Sequence, residues 1–342
     1  MSFKRFDPED FLVSADSITA GAWANNASTL TGIFKNSTQV SSDSGKYYVS
    51  VYNNGAYNDV QFNIAYGDSH GSGSIPYNSN IAGKSPTSTI YGQFQNIVLG
   101  DENTDFIFGD LTSSRFYALT VDRSKFKGNL LPGTMTLTLT SGSTAGNPIS
   151  LTDNSKVTTS TTFNEAGRVF QLVSGSAGEV YTGDQGSGYS PNSGSYGLFL
   201  PDIGTILLNP YALDGDVSDG GIDLGTDNAI DTDAINTENF FTAISGGCDT
   251  SGWVLNSQES LASDFVFVRA RNSEFNYSAN PSFSSGSVGD VSFTEFINSP
   301  QTFITTVGLY NDENELLATA KLSKPLKKDF TKEALVRVKL DF

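Results

Sequence analysis

The sequence holds one cysteine and one histidine in 342 residues, and each shortage removes a class of function. With Cys248 alone, no intrachain disulfide can form, so the chain is not a small stapled scaffold and a reducing compartment is expected. With His70 alone, a histidine-rich metal site is impossible, and any Ser-His-Asp device has to use this one ring. Charged residues reach only 17%, below the ~25% ordinary for soluble domains, so surface polarity rests on Ser, Thr and Asn. No apolar run approaches the ~18 residues of a membrane-spanning helix, and "MSFKRFDPEDFLVSADS" at the start has no apolar leader core. Between Arg168 and Arg269 there is no lysine or arginine at all.

The charge that is present is mostly negative. A formal net charge of −17, with no dense basic stripe among aromatics, excludes nucleic acid and anionic membrane surfaces as expected partners. Asp202, Asp214, Asp216, Asp219, Asp223, Asp227, Asp231 and Asp233 accumulate in the cation-free stretch, whereas Lys321, Lys324, Lys327, Lys328, Lys332, Arg337 and Lys339 crowd the C-terminal end. An acidic 202–249 and a basic 321–341 either steer one chain onto another or fold against each other within one chain.

Period-two patterning dominates. In "TMTLTLT" (134–140) Met135, Leu137 and Leu139 share one side, and in "ALVRVKLDF" (334–342) Val336, Val338, Leu340 and Phe342 point inward; both read as half-buried strands. "KYYVSVYNNG" and "QFNIAYG" read as a hairpin turning at Asn53-Asn54-Gly55. "TIYGQFQNIVLG", "FYALTV", "RVFQLV", "DIGTILLN", "FVFVRAR", "ITTVGLY" and "LLATAKLS" read as further strands. Helical signals are short: "DPED" with Asp7 as cap, and 234–245. The expected fold is mainly β, with antiparallel sheets in a sandwich-like or two-region architecture, a few short helices and long loops. The expected division is an N-terminal arm with a first β region (1–173), a Gly/Ser-rich linker (174–197) and a second β region (198–342).

Signatures of chemistry mostly fail. Ser69 and Asp68 neighbour His70 in sequence, but adjacent residues point apart and do not build a triad. "NSNIAGKS" ends like a phosphate loop, yet Asn78 stands where the first glycine is needed and Pro86 follows at once. The acidic loop 213–233 invites a divalent cation, but Asp219 and Gly225 occupy the places of the turn glycine and the closing glutamate. Cys248 reads as a small buried residue. Paired carboxylates for glycoside hydrolysis have no fixed spacing, and nothing points to them. No catalytic residue, metal ligand or cofactor is assigned.

"FVFVRARNSEFNYSANPSF" (265–283) is the most informative stretch. Alternation puts Phe265, Phe267, Arg269 and Arg271 on one face and Val266, Val268 and Ala270 on the other, so the strand starts apolar on both sides and emerges at a rim where guanidinium replaces phenyl. Phe275, Tyr277 and Phe283 follow in a polar, Pro281-containing stretch; aromatics beside arginine are the types enriched at interface hot spots. The competing reading is a loop folded on its own sheet with an ion pair to Glu274. Phe3, Phe6, Phe11 and Trp23 read as an N-terminal arm that anchors on a neighbouring subunit. The expected interface residues are therefore Phe3, Phe6, Phe11, Trp23, Arg269, Arg271, Phe275, Tyr277 and Phe283.

These stretches, with "FKRFDPEDFLVSADSITA", "YGQFQNIVLGDENTDFIFG", "LLPGT", "GSYGLFLPDIGTILLNP" and "PQTFITTVGLYNDENELLATAKLSKPLKKDFTKEALVRVKLDF", resemble a family of virion structural proteins of contractile-tailed myoviruses that infect marine cyanobacteria. The resemblance covers nearly the whole chain and is most specific at the C-terminal end; the loops 141–150 and 213–238 are particular to this sequence. It implies a non-enzymatic virion component made in the host cytoplasm, of the tail or baseplate rather than the capsid, partnered by other virion proteins or by copies of itself, with no small-molecule substrate. No catalytic residue comes with it. The alternatives are a receptor- or glycan-binding module, in which Trp253, Tyr181 or Tyr189 stacks on sugar, a capsid or neck protein, and, third, a depolymerase.

Overall fold

A computed structural model describes residues 4–36, 47–73, 85–109, 111–140, 148–181, 196–213, 236–277, 281–285 and 289–341. The chain is mainly β and antiparallel, as its patterning implies. It divides into two compact units, residues 18–259 and a second unit made of 1–17 with 260–342. The division expected at 174–197 is not where the chain parts. The strand Gly167–Ser176 pairs directly with Gly197–Leu200 (Phe170↔Phe199), so the Gly/Ser-rich stretch interrupts one sheet instead of separating two regions.

The larger unit is built on an 11-stranded sheet. Its long path uses β2 (Phe34–Asn36), β3 (Tyr48–Tyr52), β4 (Val60–Asp68), β5 (Arg115–Val121), β6 (Leu137–Leu139), β7 (Ile149–Asp153), β8 (Gly167–Ser176), β9 (Gly197–Leu200) and β10 (Thr205–Leu208) in the order β6-β7-β8-β9-β10-β5-β4-β3-β2. The hairpin read from "KYYVSVYNNG" and "QFNIAYG" is β3–β4, although the positive φ in its turn falls at Tyr57 and not at Asn53-Asn54-Gly55.

Central strands are apolar on both sides because both sides are covered. In β5, Tyr117, Leu119 and Val121 join one core with Phe199, Ile206 and Leu208, while Phe116 and Ala118 join the other with Leu198, Leu200 and Leu207. Continuous runs such as "FYAL" and "GLFL" are what such a doubly covered sheet requires. Helix α2 (Asn236–Thr250) contributes Phe240, Ile244 and Cys248 to the first core, confirming the helix expected near 234–245 and lengthening it. Gly247 lets α2 approach β6: a Cβ there would meet the Thr138 carbonyl oxygen at 1.7 Å.

Helix α1 (Pro86–Leu99) covers the second face and corrects the strand expected at "TIYGQFQNIVLG". Ser85 Oγ accepts the Ser88 N–H, Pro86 fills the first position, and Gly100 ends the helix at φ 67°. Thr87, Tyr91, Gln95 and Val98 are its buried residues, at helical spacing.

The smaller unit has far less to enclose. In it β1 (Phe11–Gly21, up to Ser17) and β14 (Ala334–Asp341) flank β11 (Asn256–Ala270, from Ser260), β11 and β14 pairing from Ser263↔Asp341 to Ala270↔Ala334. β12 (Gln301–Tyr310) and β13 (Leu316–Asp329) form a separate two-stranded ribbon. Val266, Leu309 and Val338 are the buried centre where these strands meet, with Val268, Val307, Ala318 and Val336 half-buried around them.

Candidate protein-interaction surface

The β11–β14 pair has one inner and one outer face. Val266 and Val268, opposite Val338 and Val336, face the small core; Phe265, Phe267 and Arg269, opposite Lys339, Arg337 and Leu335, form the outer face. Phe265 and Phe267 are half-buried, which corrects the expectation that β11 starts out sandwiched: cationic side chains stand over the Phe265 ring in place of a second layer. The Arg337 guanidinium stands 5.2 Å from the Phe265 ring centre and Lys339 Nζ 5.9 Å. Lys339 is further tied to Asp16 at 3.3 Å and Asp341 at 3.0 Å, contacts that raise its pKa.

Arg269 and Arg271 are exposed at the end of this strand, as the rim reading requires. The competing ion pair to Glu274 is taken by another cation. The Glu274 carboxylate accepts the Arg271 backbone N–H at 2.8 Å and Lys4 Nζ at 3.3 Å, and that backbone bond, then Lys4, holds its carboxyl below the usual range. Lys4 Nζ also donates to the Arg269 carbonyl at 2.6 Å. Among the described residues, no carboxylate lies at ion-pair distance from the Arg269, Arg271 or Arg337 guanidinium.

The loop 271–277 is held from beneath. Lys328, fully buried, donates to the Asn272 carbonyl (3.1 Å), Asn276 Oδ1 (2.8 Å) and the Asp329 carbonyl (2.8 Å), using all three of its protons. Thr302 Oγ1 donates to the Phe275 carbonyl at 2.5 Å. These bonds fix Phe275 at φ 55°, a conformation a bulky residue adopts only when its surroundings impose it. The result sets Phe275 and Tyr277 beside a cleft of about 1100 Å³, whose lining includes Phe6, Val268, Ile304, Tyr310 and Val336. Tyr277 is 71% exposed.

The structure therefore brings Phe6, Phe275 and Tyr277 together, and places Arg269 and Arg271 at the neighbouring strand end. Phe11 is half in solvent and packs its edge on Phe6 with centroids 5.2 Å apart. Phe283 joins a separate cluster with Phe296 (4.9 Å) and Phe293 (6.4 Å). Phe3 lies outside the described residues. Trp23 corrects the arm reading. It is 2% exposed in the larger unit, tilted against Trp253 (ring centroids 4.7 Å apart) with its Nε1–H donating to the Trp253 carbonyl, so its ring is already dry in its own chain.

Sequence reasoning missed much of the exposed apolar surface of the smaller unit. Leu316, Leu317, Phe303, Phe330 and Leu335 are all more than half exposed. Leu335 and Leu317 fall on the polar side of their strand alternation, with Arg337 and Lys339 or Thr319 and Lys321, so a lone apolar residue there gave no signal. Of the basic C-terminal run, Lys328 is consumed internally and Lys339 is paired, while Arg168 takes Asp202 in a two-point contact. Asp202 is thereby held below the usual carboxylate range, hydrogen bonding to Arg168 outweighing burial. The acidic run from 214 to 233, with its cation expectation, lies outside the described residues.

The nucleophile question has a geometric answer in the larger unit. Ser69 Oγ lies 3.2 Å and Asp68 Oδ1 3.8 Å from His70, but both approach the same ring nitrogen, Nδ1. A relay needs the acid on one nitrogen and the nucleophile on the other. Asp68, fully buried, is engaged instead by Arg115 Nε at 2.5 Å and by the His70 backbone N–H at 2.7 Å. Burial pushes the Cys248 thiol up to about 12, so it stays protonated. Among the described residues, no group of three His, Cys, Asp or Glu is placed to hold a metal ion. Trp253 is fully buried, which removes it as a sugar platform, and Tyr181 is 41% exposed; Tyr189 lies outside the described residues.

No protein family, curated protein or solved structure matches this chain.

Proposed function

We propose that this chain is a non-enzymatic structural component of a virion, of the tail or baseplate, that works by binding other virion proteins or copies of itself. The observation that carries the reading is the surface of the smaller unit. Among the described residues, fourteen of the 24 large exposed apolar side chains belong to residues 1–17 and 260–342, fewer than a third of the chain, and no carboxylate there lies at ion-pair distance from the exposed Arg269 guanidinium. A monomer gains nothing by keeping so many large apolar groups in water, and exposed apolar groups together with Arg and Tyr are the residue types that association interfaces use. The sequence resemblance supplies the setting, a contractile tail.

The test is incorporation. Arg269→Ala combined with Tyr277→Ala changes two exposed side chains, so the variant folds as a soluble protein. Particles assembled with it should lack the chain or fail to mature. Normal incorporation of the double variant removes this surface from the account.

A further inference from the structure

The sheet of the smaller unit has two edge strands that are built differently. Along β14 the exposed positions are Leu335, Arg337, Lys339 and Asp341, and charges at three of the four discourage another strand from pairing. Along Phe11–Asp16 of β1 there is one charge, no proline, and three consecutive large apolar residues, Phe11, Leu12 and Val13, exposed by 51%, 53% and 75%. Consecutive strand residues face opposite ways, so β1 is open on both faces there as well as along its edge. Its one charge, Asp16, is already answered by Lys339 Nζ at 3.3 Å.

Among the described residues β1 ends the sheet, bonded to β11 on one side only. An edge strand of this kind is a template on which another extended chain can pair. We propose that the pairing strand is β1 of a second copy, set antiparallel across a two-fold axis, so that two sheets become one. An isologous contact requires an edge complementary to itself. β1 meets that condition because its lone carboxylate is neutralised within its own subunit, leaving apolar side chains to meet apolar side chains. A strongly charged foreign strand would find no counter-charge there. The inference rests on the assembly reading above and names one partner for it.

Each copy carries −17, so dimerisation is opposed at long range and strengthens as salt screens that repulsion. Docking of the free guanidiniums on an acidic protein would weaken with salt instead. Sedimentation velocity of the full chain across micromolar concentrations, at low and high salt, reads this directly. The wild type should dimerise more tightly at high salt, and Leu12→Lys with Val13→Lys should remain monomeric while keeping the wild-type circular dichroism. Hydrogen exchange needs no variant: the amides of Phe11–Asp16 that do not bond β11 should slow as wild-type concentration rises. A wild type that stays monomeric at high salt with fast-exchanging β1 amides overturns the proposal, as does a lysine variant that dimerises normally. If the wild type is monomeric and Arg269→Ala/Tyr277→Ala still fails to enter particles, the second-copy partner falls while the assembly function stands.

Discussion

In residues 18–259, Leu119, Phe199, Ile206 and Trp253 are fully enclosed between a wide sheet and its covering helices; in the other unit, Phe303, Leu317, Phe330 and Leu335 stand more than half in water. Among the described residues, the buried apolar residues of the smaller unit are Val266, Ala270, Leu309, Ala334 and Val338, two of them alanines. Enclosing a large apolar side chain contributes roughly 1.5–3 kcal/mol, whereas fixing one residue's backbone costs about 1–2 kcal/mol. Five such residues cannot hold a unit of this length as firmly as the dozens that hold the larger one. The difference is one of enclosure: one unit covers its large apolar side chains, and the other leaves many of its own in water.

The contrast can be broken first at the cores. Trp253→Ala or Phe199→Ala should cost about 3–5 kcal/mol and unfold the larger unit cooperatively. Val338→Ala, in the smaller core, should cost about 1 kcal/mol and leave the larger unit's calorimetric transition unchanged. Equal losses would show that the smaller unit is as tightly packed as its neighbour.

Next in size is the buried ammonium. Lys328→Met removes a donor from the Asn272 and Asp329 carbonyls and Asn276 Oδ1, for about 1–3 kcal/mol. The loss should be local, appearing as faster amide exchange across 272–277 and a disordered Tyr277. An unchanged exchange pattern would show that Thr302 alone fixes the loop.

Smaller still is the acid response of the same loop. Glu274 has a folded pKa below its unfolded value of about 4.3, so its contribution is fully present above that value and is lost as pH falls through the folded one. Amide shifts of Arg271 should follow that titration, and Glu274→Gln should abolish it. The smallest effect is expected at the surface itself: Leu317→Ser should change stability by less than about 0.5 kcal/mol while reducing hydrophobic-dye binding. A large destabilisation would mean that Leu317 already packs within its own chain.

Much of the fold was legible because strand periodicity reports directly on burial. "TMTLTLT" buries Met135, Leu137 and Leu139 as its alternation implies, and the hairpin β3–β4 pairs as read. Helix α1 was lost because a run of Ile, Tyr, Phe and Val suits a buried strand equally well. Its signals were the Ser85-Pro86 start, the 87, 91, 95, 98 spacing and the Gly100 stop. The candidate surface was half legible. Arg269 and Tyr277 were exposed by their setting, a strand end and a polar loop, whereas Trp23 misled because a short irregular segment gives no sign of the Trp253 and Phe62 rings that enclose it. Leu317 and Leu335 were passed over because each stands as a lone apolar residue on the polar side of its strand alternation, beside Thr319 and Lys321 or Arg337 and Lys339.

The account turns on whether the exposed apolar groups of the smaller unit become dry in the assembled particle. Hydroxyl-radical footprinting of Phe303, Leu317, Phe330 and Leu335, in the isolated chain and in purified particles, measures this side chain by side chain. Strong labelling in the free chain and protection of a contiguous subset in the particle is the predicted result. Equal labelling in both states would contradict it.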